Sequence, residues 1–349
     1  MEIKAIYNNI ADVPLPLAVW LATDEYKYGK YPNEISTTTI MKSPRYIIGS
    51  RRVQFPQDFP EHLHIPTSNG LFDAMPDIQS KIKARIGTAI HSSAELSWTD
   101  PKFRTIALEL LGYSKDTTDN VVINPEPTQK LSPFALPVYL EQRAYRELDN
   151  FVISGQYDFV VNGNLHDIKT TSTYVWQSGC MDEKYILQGS IYRWLDPEII
   201  TGDTITINFV FTDWTAFKVQ TTENYPPYMI MGRTYKLMSL EETEAYLRNK
   251  IKLLNKHWLD PLHLIPCCTE KDLYTSPSKF KYYKKGYREG ARATKVFDTL
   301  AAASAYKAEQ GHVGEILEVR GKAFYCDFCN PNETSQTEVV SPELNIEFE

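Results

Sequence analysis

The sequence predicts an α/β protein in which a mixed central β-sheet is flanked by helices. Three features predict this class. Residues 151–170 have a strand–turn–strand pattern, residues 82–98 and 182–195 have the apolar spacing of helices, and residues 204–212 are the most strand-like stretch of the chain. Helices that precede and follow paired strands are typical of a sheet covered by helical layers.

The composition is that of an ordinary globular protein. The chain has 349 residues, of which 42% are hydrophobic and 23% charged, enough for one large domain or two ordinary ones. Its formal net charge is −7, so any site for a polyanion must come from a local basic patch. No apolar run approaches the ~20 residues of a membrane span, and the first residues lack the pattern of a signal peptide. The odd number of cysteines, five, argues against a disulfide framework, so we expect a cytoplasmic protein without a membrane partner.

Residues 1–80 are predicted to form an N-terminal arm and a leading helix. Prolines interrupt the arm, and residues 35–52 place a Ser/Thr run before apolar residues, as at the capped start of a helix. This segment has basic residues that either contact phosphates or form a solvated face. They are Arg45, Arg51 and Arg52. Residues 53–80 have no periodicity and predict a loop.

The helix predicted over residues 82–98 carries a candidate metal ligand. His91 and Glu95 are four residues apart and therefore share one face of the helix. A histidine in such a place is, by itself, more often structural than a ligand. The stretch that follows combines a helix-like piece at 106–111 with a polar loop over 114–133.

Three consecutive strands are predicted between residues 138 and 170. The first covers 138–148 and contains Glu141. The next two cover 151–161 and 165–170, and the Asn-Gly turn between them is typical of a β-hairpin. Asp158 lies near the end of the middle strand, so the hairpin brings it alongside the last strand.

The last of these strands carries an Asp-Ile-Lys sequence. Asp167 and Lys169 project to one face of the strand, while Ile168 points into the core. Adjacent carboxylates repel one another unless a proton or a cation lies between them, and a hard cation such as Mg²⁺ suits oxygen ligands. A lysine beside them can orient a water molecule or stabilise charge on a phosphate. The alternative is an exposed Asp/Lys pair, worth ~0–1 kcal/mol.

Further elements complete the predicted core, residues 81–265. The helix over 182–195 carries Gln188 and Tyr192, four residues apart on one face. The remaining elements are a strand over 204–212, its hairpin partner over 214–221, and a helix over 239–257 that begins with a capping-box pattern.

The C-terminal region, residues 266–330, is predicted to be basic and to contain cysteines. Residues 279–295 hold seven Lys or Arg against one Glu, interleaved with three tyrosines. Basic charge attracts phosphates and tyrosines stack on unpaired bases, so we favour contact with DNA over a solvated surface. The residues predicted to contact DNA are Lys281, Lys284, Lys285, Arg288 and Arg292.

Cysteines flank this basic stretch. Cys326 and Cys329 form a C-x-x-C pattern, which can supply half of a tetrahedral metal site, and Cys268 or its neighbour precedes the basic stretch. A zinc ion at Cys268, Cys326 and Cys329 is one hypothesis, and a remnant without metal is the one we favour. Residues 331–349 are polar and acidic, and we expect them to be disordered.

Four motifs, in this order, resemble those of the PD-(D/E)XK nuclease superfamily, and within it the RecB-type exonuclease branch found in phages and CRISPR-associated enzymes. They are GTAIHSSAE at 87–95, GQYD at 155–158, DIKT at 167–170 and QGSIY at 188–192. The resemblance covers residues 35–265 and extends more loosely to residue 330. Gln156 departs from the pattern, because many relatives have a basic residue there.

The resemblance implies a restriction-endonuclease-like core and a role for each matching residue. The implied metal ligands are His91, Asp158, Asp167 and the backbone carbonyl of Ile168. The implied catalytic residues are Asp158, Asp167, Lys169, Gln188 and Tyr192. Lys169 positions the attacking water, and Gln188 and Tyr192 steer the DNA backbone or support that lysine. Glu95 and Glu141 orient the ligands.

The implied activity is hydrolysis of DNA ends by an exonuclease that depends on Mg²⁺ or Mn²⁺, in phage-type recombination or replication. The alternatives are a structure-specific or restriction-like endonuclease and a non-catalytic DNA-binding subunit with a nuclease-derived fold. The implied partners are duplex ends or single-stranded DNA and a single-strand annealing or recombination protein, in a bacterial host cell if a phage encodes the chain. An oligomer is left open. Some relatives close an iron–sulfur cluster with one early and three late cysteines; this chain has no suitable early cysteine, so we expect no such cluster.

Overall fold

The computed structural model describes most of the chain. The described residues are 7–10, 12–23, 31–65, 76–126, 128–266, 268–269, 279–288, 290–319, 326 and 328–329. The tail predicted to be disordered, 331–349, lies outside the described residues, as does Cys267. No helix within the described part of the chain combines the length and the apolar character that a membrane crossing requires.

The chain divides into two compact units. Unit 1 takes in residues 1–41 and 51–256, and unit 2 takes in residues 42–50 and 257–349. The domain boundaries predicted from the sequence, after residues 80, 265 and 330, are not tested by this division and remain predictions. The α-helices are α1 (Leu15–Ala22), α2 (Thr37–Ile40), α3 (Pro44–Gln54), α4 (Ile82–Thr99), α5 (Pro101–Leu110), α6 (Lys115–Asp119), α7 (Thr173–Ser178), α8 (Asp182–Leu195), α9 (Ala216–Thr221), α10 (Leu240–His257) and α11 (Leu300–Glu309). The strands are β1 (Glu34–Ser36), β2 (Val121–Ile123), β3 (Leu136–Leu148), β4 (Phe151–Val161), β5 (Asn164–Thr171), β6 (Thr204–Phe211), β7 (Ile230–Lys236), β8 (Lys279–Tyr283), β9 (Lys295–Phe297) and β10 (Glu315–Val319).

Unit 1 is built on a mixed seven-stranded sheet. Its order is β2-β3-β4-β5-β6-β7, and β1 pairs with β4 beside that path. The β2–β3, β5–β6 and β1–β4 pairs are parallel, and the β3–β4, β4–β5 and β6–β7 pairs are antiparallel. The predicted α/β class, a mixed central sheet flanked by helices, is confirmed.

Helices cover both faces of this sheet. The Thr-Ile-Thr-Ile alternation of β6 buries every second side chain, and α8 packs against β4 and β6 with a largely buried surface that includes Ile191 and Trp194. On the other side, Leu108 of α5 joins a buried cluster with Val138 and Phe159, against which Ile168 packs as predicted. Burying each of these side chains contributes ~1.5–3 kcal/mol. The sheet is therefore a rigid support for polar residues at its gaps and edges.

Two predicted elements in unit 1 are wrong. The sequence predicts that 214–221 pairs with β6 as a strand, but residues 216–221 form α9, and the partner of β6 is β7. Sequence reasoning misses β7 because it is an exposed edge strand, with only Tyr235 buried, so its sequence has little apolar alternation. The polar loop predicted over 114–133 contains α6 and the short strand β2.

Unit 2 includes a small antiparallel sheet of order β10-β8-β9. Tyr282 of β8 is buried, its hydroxyl donates a hydrogen bond to the Val313 carbonyl oxygen at 2.8 Å, and its ring meets Tyr306 of α11 edge-on. The basic stretch therefore begins as β8, which aromatic packing holds in place, and its last residue, Lys295, begins β9.

Candidate active site

A gap along one edge of β4 creates the site. β3 follows the other edge of β4, but two strands share this one: β1 pairs with residues 152–154 and β5 with residues 159–161. Residues 155–158, the Gly-Gln-Tyr-Asp motif, lie between these two pairings. At the end of the motif, Asp158 Oδ2 accepts a hydrogen bond from the backbone N–H of Ile168 at 2.8 Å. The Asp158 side chain thus accepts a backbone hydrogen bond from β5 just beyond the residues where β4 and β5 pair.

Gly155 is required in this gap because its neighbours leave no room for a side chain. A Cβ at this position would lie 2.5 Å from the Thr37 hydroxyl oxygen and 2.9 Å from a ring carbon of Tyr192. The Thr37 hydroxyl in turn donates a hydrogen bond to the Ser154 carbonyl oxygen at 3.0 Å. The glycine therefore lets α2 and α8 close against β4.

His91, Glu141 and Asp158 form a cluster of potential metal ligands, which we call the carboxylate cluster. One ligand atom from each residue lies within 4.8 Å of the other two. His91 Nδ1 is 3.5 Å from an Asp158 oxygen and 3.8 Å from a Glu141 oxygen. His91 Nε2 is 3.0 Å from the Ile168 carbonyl oxygen, which can only accept, so Nε2 carries a proton. In the neutral ring, Nδ1 is free to ligate, while a carbonyl holds the other N–H, as is usual for metal-binding histidines.

Glu141 enters this cluster through strand register and an unusual backbone conformation. The flanking pairs of β3 and β4 place it opposite Asp158. Its φ is 50°, in the left-handed region, which costs a residue with a side chain ~1–3 kcal/mol and is unusual within a strand. Sequence reasoning assigns Glu141 only a supporting role, whereas the structure places its carboxylate among the potential ligands.

A second group links the Asp-Ile-Lys motif to α8. Lys169 Nζ lies 2.6 Å from Asp167 Oδ2, as expected for side chains on one strand face. The Gln188 amide donates a hydrogen bond to Asp167 Oδ1 at 3.3 Å and another to the Tyr192 hydroxyl at 2.9 Å. Asp167 is 2% exposed. The predicted ligand Asp167 thus pairs with the lysine and lies outside the carboxylate cluster, and the Ile168 carbonyl accepts a hydrogen bond from His91.

Burial and charge repulsion control the protonation of the site. Burial, and then the charge of Asp167, raises the pKa of Asp158 to about 7. For His91, burial lowers the pKa, but the hydrogen bond with Glu141 and the charge of Asp158 together outweigh it, so the pKa is raised. Burial also lowers the pKa of Lys169, and the carboxylates beside it outweigh that effect, so Lys169 is an ammonium ion. Of the groups that would ligate a cation, His91 and Asp158 therefore bind protons more tightly than usual, and the cation must replace those protons.

A cavity of about 570 Å³ opens beside the carboxylate cluster. Its lining includes Glu95, whose pKa is raised by burial and then by the charge of Glu141. Gln156 also lines it and connects two neighbours: its Nε2 donates to Glu141 at 2.7 Å, and its Oε1 accepts from Arg143 at 3.2 Å. Gln156, the departure from the motif pattern, thus positions the candidate ligand Glu141 and holds the guanidinium group of Arg143 at the cavity.

Sequence reasoning missed two cations of this cavity, Arg143 and Arg85. A signal for Arg143 exists: it follows Glu141 by two residues on a predicted strand, so the two side chains share a face. No comparable pattern marks Arg85, which lies on α4, six residues before His91. Hydroxyl groups at the start of α2, among them Ser36 and Thr38, line the cavity with these arginines.

The three arginines predicted near residue 50 are not at this site. Arg45, Arg51 and Arg52 are all buried. Arg45 Nε donates to the Ile265 carbonyl oxygen at 2.7 Å, and Arg51 donates to the Glu34 carbonyl oxygen. Because all three guanidinium groups are buried, and those of Arg45 and Arg51 donate to backbone carbonyls, their placement does not support the predicted phosphate contacts.

The predicted basic stretch in unit 2 is largely accessible. Lys284, Lys285, Arg288 and Arg292 are exposed, and Lys281 is half-buried on β8. Of the three tyrosines, Tyr282 and Tyr283 are buried and cannot stack on a base, while Tyr287 is 46% exposed. The proposal of tyrosine stacking is therefore limited to Tyr287, and the charge of the stretch is its main feature.

The donor set of the carboxylate cluster fits a divalent cation. Carboxylate oxygens suit Mg²⁺ and Mn²⁺, and an imidazole nitrogen is accepted more readily by Mn²⁺. Three protein ligands leave coordination positions open for water and substrate, which is typical of catalytic rather than structural sites. The residues present therefore fit the cation that the motifs imply.

Comparisons with solved structures give distant similarities, two of which are described here. No family model matches the chain. No curated protein matches it. The crystal structure of SSO0001 has 15% sequence identity over 66% of this chain and 80% of that chain, with a TM-score of 0.35. A phage-related exonuclease from Haemophilus somnus 129PT has 17% identity over 46% of this chain and 80% of that chain, with a TM-score of 0.24. At these identities and TM-scores, neither similarity establishes a common fold or a common activity.

Proposed function

We propose that unit 1 is a nuclease that hydrolyses phosphodiester bonds with a divalent cation. The observation that carries the proposal is the meeting of two groups at one gap in the sheet. His91, Glu141 and Asp158 supply a cation site, and Lys169 lies two residues along β5 from Asp167 as a charged ammonium ion. Phosphodiester hydrolysis needs both kinds of group, because the protein must neutralise the phosphate and position a water molecule.

The side chains divide this work. Mg²⁺ or Mn²⁺ held by the carboxylate cluster supplies an activated water and neutralises phosphate charge when bound. Lys169 donates hydrogen bonds to the attacking water or to charge that develops on the phosphate. The Asp167 carboxylate stabilises the protonated form of Lys169 and orients its side chain. Gln188, on α8, orients Asp167 by donating a hydrogen bond to it. Tyr192 fixes Gln188 through its hydroxyl.

The proposed substrate is a polynucleotide, because cations accompany the site. Arg85 and Arg143 line the cavity beside the carboxylate cluster. Arg143 is half-buried and already oriented by Gln156, so little side-chain freedom is lost when it pairs with a phosphate. DNA as the substrate, attack at its ends, a role in phage-type recombination and a recombination or annealing protein as partner rest on the resemblance of the four motifs.

A digestion experiment tests the proposal. End-labelled linear duplex, linear single-stranded DNA and closed circular DNA are each incubated with Mg²⁺, Mn²⁺ or EDTA. The protein is compared with Lys169→Ala and with Lys236→Ala, which removes an exposed lysine from β7 of the same sheet. We expect metal-dependent loss of linear DNA only, retained in Lys236→Ala and reduced ~10²–10⁴-fold in Lys169→Ala.

Other outcomes point elsewhere. Cleavage of the closed circle identifies an endonuclease, because a circle has no end. Binding of DNA without cleavage under any metal would overturn the enzymatic proposal and leave a DNA-binding subunit. Equal loss of activity in the two lysine variants would show that the effect of Lys169→Ala is not specific to the site.

A further inference from the structure

Three cysteines come together in unit 2, at a place that the proposed hydrolysis does not use. Cys268, Cys326 and Cys329 each offer one sulfur atom, and the three atoms lie within 4.8 Å of one another. We call them the thiol cluster. All three are free thiols, and Cys268 and Cys326 are only 8% exposed. The backbone N–H of Cys268 also donates a hydrogen bond to the Cys329 sulfur at 3.5 Å. Hydrogen bonds of this kind are typical around metal-bound thiolates.

The phenylalanine inside the C-x-x-C sequence fixes two of these thiols on the first half of α3. The Phe328 ring meets the Tyr46 ring edge-on, with centroids 5.8 Å apart. It also lies over Gly49, where a Cβ would come within 2.6 Å of the ring. Only glycine leaves room for this packing, so Cys326 and Cys329, on either side of the ring, are held in a defined place.

The same helix fixes the third thiol. Ser43, immediately before α3, has its hydroxyl oxygen 2.8 Å from the Cys268 sulfur. Arg45 donates a hydrogen bond to the Ile265 carbonyl oxygen, just before Cys268 in the chain. The buried arginine that the sequence assigns to DNA therefore anchors the segment that carries a cysteine into the cluster.

The number and spacing of the thiols indicate which metal fits. Thiolates are soft ligands that select Zn²⁺ or iron–sulfur clusters over Mg²⁺. An iron–sulfur cluster takes four cysteines spread over several iron atoms, whereas the described part of the chain brings three thiols together with a serine, Ser43, beside Cys268. A single Zn²⁺ with Zn–S bonds of ~2.3 Å spaces its tetrahedral sulfur ligands ~3.8 Å apart, which agrees with the compact grouping of the three sulfurs.

We propose that Cys268, Cys326 and Cys329 bind one Zn²⁺, with the Ser43 hydroxyl next to the remaining ligand position. Binding replaces the thiol protons and ties together the two segments that flank residues 279–319, which hold the small sheet and α11. Bringing these two segments together costs loop entropy, and the bonds to the ion offset that cost. The role of the ion is therefore structural. This proposal is independent of the nuclease activity and replaces the metal-free remnant that the sequence favours.

Metal content and thiol protection in the wild-type protein test the proposal directly. After purification under reducing conditions and dialysis, we expect one zinc per chain by elemental analysis. In native alkylation followed by mass spectrometry, exposed Cys180 should react at once, while the three cluster thiols react only after a chelator removes zinc. Iron with acid-labile sulfide would overturn the proposal in favour of a cluster. Absence of metal together with immediate alkylation of all three thiols would also overturn it.

Variants assign the ligands. Cys268→Ser and Cys326→Ser should each lose zinc on dialysis, whereas Cys180→Ser, which changes an exposed thiol in unit 1, should retain it. Ser43→Cys should release zinc to a chelator more slowly than the wild type, because a fourth thiol is then available next to Cys268. Full retention of zinc by the two cluster variants would place the metal elsewhere and overturn the assignment.

Discussion

The carboxylate cluster in unit 1 and the thiol cluster in unit 2 differ in donors, burial and access. The side chains of His91 and Glu141 are 27% and 23% exposed, and both line a cavity of about 570 Å³. Cys268 and Cys326 are 8% exposed and are held by packing against a helix. The ligands of the carboxylate cluster therefore lie where a substrate can reach them. The cysteines of the thiol cluster are buried, as suits an ion that contacts no substrate.

This difference separates a site for chemistry from a site for stability. Catalytic metal sites keep positions open for water and substrate, and structural ones are closed by the protein. The carboxylate cluster also carries local strain, since Glu141 has a left-handed backbone within a strand, and it holds protons that a cation must displace. The thiol cluster must also lose its protons to a metal, but none of its three described cysteines has a left-handed backbone.

The largest expected effect that distinguishes the two clusters is that of Glu141→Gln. Losing one charged ligand should lower cleavage ~10²–10³-fold, while the zinc content stays at one per chain. Glu95→Gln is the comparison, because Glu95 lines the same cavity but lies outside the cluster, and as a residue that only orients the ligands it should cost no more than ~10-fold in activity. Cleavage rates under single-turnover conditions measure both. Similar losses in the two variants would show that Glu141 acts only through the charge of the cavity.

The position of Glu141 could not be predicted from the sequence, although most of the surrounding fold could. The helices and strands that carry His91, Asp158 and Lys169 follow local apolar spacing, which is visible in the chain itself. The role of Glu141 depends on the register between β3 and β4 and on one backbone angle. Neither leaves a mark on nearby residues, so the sequence around this glutamate indicates no more than a supporting role.

Burial in the tertiary structure was the other feature that the sequence did not reveal. Arg45 and Arg51 have the composition of a basic surface, yet both donate hydrogen bonds to backbone carbonyls. The strand β7 lacks apolar alternation because it is an exposed edge strand in which only Tyr235 is buried. In both cases the partner lies far along the chain, and only the folded structure identifies it.

An intermediate effect is expected in the response of stability to pH and metal. The pKa of Asp158 is raised to about 7 in the folded protein, from an ordinary value near 4. Its contribution to stability is therefore complete below that ordinary value and is lost as the pH rises through about 7. A cation at the carboxylate cluster restores it, so Mg²⁺ should raise the Tm by a few degrees at pH ~8 and by much less at pH ~5.5.

Thermal unfolding with and without Mg²⁺ measures this response, and Asp158→Asn is the variant that isolates it. The variant cannot titrate at this position, so its Tm should change little on adding Mg²⁺ at either pH. A shift from Mg²⁺ in Asp158→Asn as large as that in the wild type would place the cation at another site. The zinc content should be the same at both pH values if the two clusters are independent.

The smallest effect on catalysis is expected from the accessible cations of unit 2. Replacing Lys284, Lys285, Arg288 and Arg292 with alanine should weaken DNA binding and reduce the slope of log affinity against log salt by ~0.7–0.9 for each phosphate that is no longer neutralised. The turnover rate at saturating DNA should not change, because these residues are absent from the lining of the active-site cavity. The double variant Lys252→Ala, Lys256→Ala removes two lysines from α10 and is the control. A slower turnover at saturation would mean that unit 2 contributes to the chemical step, and an unchanged salt slope would leave its basic residues as a solvated surface.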